Sequence, residues 1–183
     1  IMITGSHNPS EYNGFKMVLN KHSFYSDNIQ DFKTLVSNNN LKKGDGEIVD
    51  IDILNDYVER VLNNISLNKK MKISWDIGNG AMGVVIDKVI SKLKNTENII
   101  LNKEVDGNFP NHHPDPTVPE NMVQLINSVK ENKSDIGLAF DGDGDRLGVV
   151  DNLGNIVWAD QYMLVLCSEI VKLYNDPKII MDV

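Results

Sequence analysis

Cysteine is almost absent from this chain. The single Cys167 cannot form an internal disulfide, and with no basic neighbour to activate its thiol it reads as a packing residue. No apolar run reaches the roughly 18–20 residues that a membrane span needs, and the first residues lack the basic-then-apolar order of a secretion signal. Positive charge is also scarce: 18 Lys and Arg face 26 Asp and Glu, for a formal net charge of −8. The lysines are scattered, as at Lys42-Lys43 and Lys69-Lys70, which argues against nucleic acid or an anionic membrane as a partner. What remains is 183 residues with 41% hydrophobic content, enough to bury a core in one or two domains, with a cytoplasmic enzyme as the default expectation.

The order of elements predicts an α/β fold, with mixed, mainly parallel sheets flanked by helices. A strand at Ile1–Ile3, a loop closed by the turn dipeptide Asn13-Gly14, and a strand at Phe15–Leu19 open the chain. Ile29, Phe32, Leu35 and Val36 then recur at helical spacing, and Gly44–Gly46 marks the expected hinge. From Asp50 an amphipathic helix carries Ile53, Leu54, Tyr57, Val58, Val61, Leu62 and Ile65 on one face. Strands at Lys72–Ile77, Ile99–Leu101 and Ile136–Phe140 alternate with helices over Ala81–Leu93 and Glu120–Lys130, the pattern of βαβ units. A hairpin of Arg146–Val150 and Asn155–Trp158, a helix over Asp160–Tyr174 and a strand at Ile179–Val183 complete the reading. Both ends read as cut, so a piece of a longer protein is expected. The proline-rich stretch Phe109–Pro119 reads as an ordered connection.

The densest chemistry lies in Asp141-Gly-Asp143-Gly-Asp145-Arg146, directly after the apolar run Ile136–Phe140. Two carboxylates about 4 Å apart repel by roughly 1 kcal/mol in water and roughly 4 at an effective dielectric near 20. Three oxygen donors without sulfur or imidazole suit a hard divalent cation, and Mg²⁺ is the expected ion. A run without polar alternation predicts a strand covered on both faces, and ligand sites in open α/β sheets lie at the carboxyl ends of such strands.

A second segment, Thr4-Gly-Ser6-His7-Asn-Pro9, places a hydroxyl in a loop after a strand. Alone, such a serine is a turn residue. Beside a divalent cation it can carry a phosphoryl group whose charge the metal offsets. Lys16, just beyond the turn, is the nearest candidate acid/base, although its ordinary pKa near 10.4 would have to fall for it to act as a base. Arg146 can bind phosphate oxygens bidentately, or pair with a neighbouring aspartate.

Three other readings compete. A calcium-binding EF-hand would need glycine and glutamate where the aspartate loop has Arg146 and Asn152. Gly78-Asn-Gly-Ala-Met-Gly83 has the spacing of a dinucleotide fingerprint after a strand, which keeps an oxidoreductase domain as the alternative of a different class. His112-His113 with Asp115 lacks the i, i+4 spacing of helical metal sites and reads as surface or domain-contact residues.

Taken together, Thr4–Lys16 resembles the active-site serine loop of the α-D-phosphohexomutases, and Asp141–Arg146 resembles their metal loop. Asp76–Ala81 and Asp106–Pro116 are similar to that family's second domain. The form of the serine loop resembles most the bacterial phosphomannomutase/phosphoglucomutase branch, with phosphoglucosamine mutase as the runner-up. The resemblance implies an intramolecular phosphotransferase that interconverts hexose 1-phosphate and hexose 6-phosphate, of mannose or glucose, through a hexose 1,6-bisphosphate. It implies that Ser6 is carried as phosphoserine and binds one Mg²⁺ together with Asp141, Asp143 and Asp145. Lys16 would be the general acid/base, with His7 and Arg146 supporting the phosphoryl group. It also implies that residues 1–50 end a first domain, 51–154 form a second with the metal loop, and 155–183 link to a third. On that reading the isolated fragment is inactive.

Overall fold

The computed structural model describes residues 1–180. In the opening segment, β1 (Met2–Ile3) pairs antiparallel with β2 (Phe15–Lys16), and β3 (Val18–Leu19) with β4 (His22–Ser23). The single strand expected over Phe15–Leu19 is therefore two. Asn20 and Lys21 take positive φ values of 50° and 67°, and the two-residue turn they form folds the chain straight back. Helix α1 (Asp27–Ser37) follows, and then an exposed, irregular stretch through the Gly44–Gly46 region.

Helix α2 (Leu54–Leu62) starts later than the apolar periodicity suggests, because the Asp52 carboxylate accepts the Leu54 N–H at 3.0 Å and fixes the first turn there. Beyond it come β5 (Met71–Asp76), α3 (Ile86–Lys92), β6 (Thr96–Leu101), α4 (Val123–Asn132), β7 (Ile136–Phe140), β8 (Leu147–Asp151), β9 (Ile156–Val157) and α5 (Ala159–Leu173). The helix expected to be continuous over Ala81–Leu93 divides into a 3₁₀ turn, Ala81–Val84, and α3. The Ala81 N–H is donated to the Gly142 carbonyl at 2.9 Å, which ties that first turn to another loop. A second 3₁₀ turn, Pro119–Met122, precedes α4. Ile179 and Ile180 form no strand, and the rest of the strand expected at the end of the chain lies outside the described residues.

The main sheet has the order β6-β5-β7-β8-β9. The β5–β6 and β5–β7 pairs are parallel, and β7–β8 and β8–β9 are antiparallel, so the α/β class holds with the sheet evenly mixed. On one face Ile73, Trp75 and Ile77 pack against Ile86 of α3; on the other Met122, Leu125 and Val129 pack against Ala139 and Val150. Val58 of α2 is buried with Val85 and Val89, so α2 belongs to this body. On the α4 side, the buried Ser74 hydroxyl lies 3.0 Å from Ser128 Oγ and 2.8 Å from Ser134 Oγ. The chain leaves β5 for β6 on one side and returns to β7 on the other. That reversal opens a crevice at the carboxyl ends of β5 and β7, the place where such sheets bind ligands.

Candidate active site

The aspartate loop hangs from the end of β7, in that crevice. Asp141 is fully buried, Asp143 half-buried and Asp145 exposed, and one carboxylate oxygen from each lies within 4.8 Å of the others. Burial raises the Asp141 pKa, partly offset by the Arg146 N–H at 3.0 Å, and the charges of Asp143 and Asp145 raise it further. Burial acts upward on Asp143 as well. The Thr4 hydroxyl and the Lys16 charge outweigh it and hold that carboxyl below its ordinary value.

The serine loop reaches into the same place. Ser6 Oγ lies 3.4 Å from Asp141 Oδ2 and 3.3 Å from Asp143 Oδ1, across more than 130 positions of sequence. Thr4 Oγ1 donates to Asp143 Oδ2 at 2.8 Å and accepts the Ser6 N–H at 2.8 Å. Ser6 itself has φ 53°, a left-handed backbone that costs free energy for a residue with a side chain and turns its hydroxyl toward the carboxylates. The two loops touch backbone to backbone: a Cβ on Gly142 would fall on the Ser6 carbonyl oxygen, so only glycine allows this approach.

Of the remaining expected residues, Lys16 places Nζ 3.4 Å from Asp145 Oδ2 and 3.7 Å from Asp143 Oδ2. Its pKa is raised, first by the Asp145 hydrogen bond and then by the Asp143 charge. The ammonium form is therefore favoured, where a base role would need the opposite shift. His7 Nδ1 lies 3.3 Å from Ser6 Oγ. Arg146 stands between two carboxylates, with Nη1 3.8 Å from Asp115 Oδ1 and Nε 3.8 Å from Asp141 Oδ2. All seven expected residues meet in one crevice.

Sequence reasoning missed several neighbours. In the sequence Thr4 is only part of the serine loop, with no sign of its bond to Asp143. Asp115 is shifted upward by burial, but the Thr117 hydroxyl and N–H, with the charges of His7 and Arg146, bring its pKa below the ordinary value. His112 is not a surface residue: Nε2 lies 2.9 Å from the buried Asp76 Oδ2, and that hydrogen bond raises the imidazole pKa against the opposing effect of burial. His113 meets the His7 ring edge-on, with centroids 5.9 Å apart. The Gly78–Gly83 run is occupied by protein. A Cβ on Gly80 would lie 2.7 Å from the Gly142 carbonyl oxygen and 3.0 Å from that of Asp141. With Ala81 N–H already given to Gly142, the glycines seat the aspartate loop where a dinucleotide pyrophosphate would need open N–H groups.

A family model described as phosphoglucomutase/phosphomannomutase, alpha/beta/alpha domain II, matches residues 55–154, and the corresponding domain I model matches residues 1–40. The chain is 46% identical over its whole length to a phosphomannomutase/phosphoglucomutase of Pseudomonas putida, covering 39% of that protein. It is 41% identical to a phosphoglucomutase of Neisseria gonorrhoeae, covering 40% of it. A solved structure of a phosphoglucomutase/phosphomannomutase family protein from Burkholderia thailandensis matches with a TM-score of 0.88 at 41% identity, over 93% of this chain and 37% of that one. The chain thus spans about two fifths of the length of these curated relatives. Among the described residues, no helix is long and apolar enough to cross a membrane.

Proposed function

We propose a function from one premise: this chain belongs to the phosphoglucomutase/phosphomannomutase family, whose domain II model matches residues 55–154. The full-length protein interconverts hexose 1-phosphate and hexose 6-phosphate, of mannose or glucose, with Ser6 as the phosphoryl carrier and a hexose 1,6-bisphosphate between the two half-reactions. The observation that carries this reading is the convergence of the Ser6 hydroxyl with Asp141 and Asp143 at 3.3–3.4 Å. In domain terms, residues 1–50 are the end of a first domain, 51–154 a second, and 155–183 the link to a third. Burial of Val58 against Val85 and Val89 supports beginning the second domain ahead of α2.

The donor set fits Mg²⁺: three carboxylates and a hydroxyl, one carboxylate fully buried with a single guanidinium no nearer than 3.8 Å against three clustered negative charges, and no sulfur or imidazole among them. Asp141, Asp143, Asp145 and Ser6 would hold the ion, which when bound supplies positive charge against the phosphoryl oxygens. The rest is done by side chains. In the first half-reaction the bond between Ser6 Oγ and phosphorus breaks while one forms to a sugar hydroxyl; that hydroxyl gives up one proton and Ser6 Oγ gains one, so the step balances in protons as well as in phosphate. The second half-reaction is the reverse at the other end of the turned-around bisphosphate, so no phosphate is gained or lost. Lys16 is the acid/base, with Nζ 3.4 Å from Asp145 Oδ2 and 3.7 Å from Asp143 Oδ2 at the edge of the cluster that holds Ser6. His7 orients Ser6 Oγ, and Arg146 offers a planar fork to phosphoryl oxygens.

Intact-mass analysis of the full-length enzyme tests the reading. A phosphate adduct that maps to Ser6 and vanishes in Ser6→Ala, together with mutase activity reduced by about a thousandfold or more, is expected. Full-length enzyme with no phosphate on Ser6 after incubation with a hexose 1,6-bisphosphate would contradict it. The isolated chain, about two fifths of the relatives' length, is expected to show no turnover.

A further inference from the structure

Asp115 lies in the proline-rich segment Phe109–Pro119, to which the sequence assigned no chemistry. That segment is anchored at the carboxyl end of β5. Asp76 Oδ2 receives His112 Nε2 at 2.9 Å, and Asp76 Oδ1 receives the Gly78 N–H at 3.0 Å and the Asn102 amide at 2.9 Å. Pro114 is fully buried beside Gly78. The next residue is held in turn: Asp115 Oδ1 accepts the Thr117 hydroxyl at 2.7 Å and the Thr117 N–H at 3.0 Å, and its side chain is 14% exposed. A carboxylate fixed this firmly points at Arg146 Nη1, 3.8 Å away.

Arg146 has two carboxylates within reach, Asp115 and Asp141, at equal distance. Asp141 belongs to the acidic cluster and would be drawn toward a bound cation. Asp115 lies outside that cluster and stays available to the guanidinium. We propose that Asp115 is a positioning residue for phosphoryl transfer, holding the Arg146 guanidinium in the orientation that receives the phosphoryl oxygens, with the Asp76–His112 pair as the anchor of its loop. This rests on the mutase reading of the site. A guanidinium displaced by even an ångström loses the alignment on which the transition state depends, whereas a sugar phosphate bound mainly elsewhere keeps its affinity.

Asp115→Asn in the full-length enzyme tests this, because the amide oxygen can still accept from Thr117 while the charge is lost. With Mg²⁺ in excess, kcat is expected to fall by about tenfold to a hundredfold with KM for glucose 1-phosphate little changed. Phosphate transfer from glucose 1,6-bisphosphate onto unphosphorylated Ser6, followed by intact mass, is expected to slow by the same factor. Adding Arg146→Ala to Asp115→Asn is expected to cost little more than Arg146→Ala alone, since the two substitutions remove one function. Unchanged kcat in Asp115→Asn, or losses that multiply independently with Arg146→Ala, overturns the proposal. Should Asp115→Asn fold poorly, Thr117→Val loosens the carboxylate while keeping its charge; a smaller fall in kcat is expected, and an unchanged kcat overturns the proposal. A wild-type enzyme without phosphate on Ser6 overturns the mutase reading and this inference together. A phosphorylated wild type with an unaffected Asp115→Asn overturns the inference alone.

Discussion

The two halves of the candidate site are held in different ways. The aspartate loop is an extension of β7, in a body whose faces bury Ile77, Ile86, Met122, Leu125, Val129 and Val150 completely. The opening 40 residues, which supply Ser6, His7 and Lys16, contain no buried residue. Their strands are two residues long, and they meet the aspartate loop through Thr4, Ser6 and Lys16. Precision therefore has two sources: packing fixes the carboxylates, and polar contacts bring the hydroxyl to them. Cation affinity and core stability should therefore be separable by mutation.

The largest effect is expected from Leu125→Ala, which empties a fully buried position of the body and should cost about 2–5 kcal/mol in chemical denaturation. Its Mg²⁺ affinity, measured by titration calorimetry below the melting range, should stay near wild type. Asp143→Asn should do the reverse, weakening Mg²⁺ by about tenfold to a hundredfold or more while lowering the melting temperature in EDTA far less than Leu125→Ala does, since the half-buried site keeps an amide oxygen to accept from Thr4 and loses only the charge that Lys16 favours. Thr4→Val removes the shortest side-chain link between the halves and should cost about 1 kcal/mol, with Mg²⁺ affinity reduced less than in Asp143→Asn.

The smallest effect concerns the anchor beneath the loops. His112 has a raised pKa in the folded protein, so its pairing with Asp76 contributes fully below the unfolded value of 6.5 and is lost as pH rises through the folded value. Wild type should lose a few degrees of melting temperature, relative to His112→Gln, as pH rises from below 6.5 through neutral. Parallel pH profiles for the two proteins would rule that contribution out.

The strand–aspartate–glycine loop was legible because it combines two independent local signals: an apolar run of strand length, and like charges that need a cation. The serine loop was legible through its company, an aspartate loop able to hold a cation, and through its resemblance to a known family, since a serine beside a histidine says little by itself. The elements that escaped were set by partners distant in sequence. Nothing within Ala81–Leu93 announces that Gly142 will take the Ala81 N–H and tighten the first turn. Asn20-Lys21 is a weak turn signal until its positive φ values are seen. Asp115 and His112 looked like residues of a rigid connection, and the groups they face, Arg146 and Asp76, lie more than 30 positions away.

The central matter is whether one cation joins the two halves. A crystal structure of the full-length enzyme soaked in Mn²⁺, with anomalous scattering locating the ion, answers it directly. A single peak is expected at bonding distance from Asp141, Asp143 and Asp145 and from the Ser6 oxygen or its phosphate. A peak bound by the aspartates with Ser6 turned away, or no peak between the two loops at saturating Mn²⁺, would contradict it.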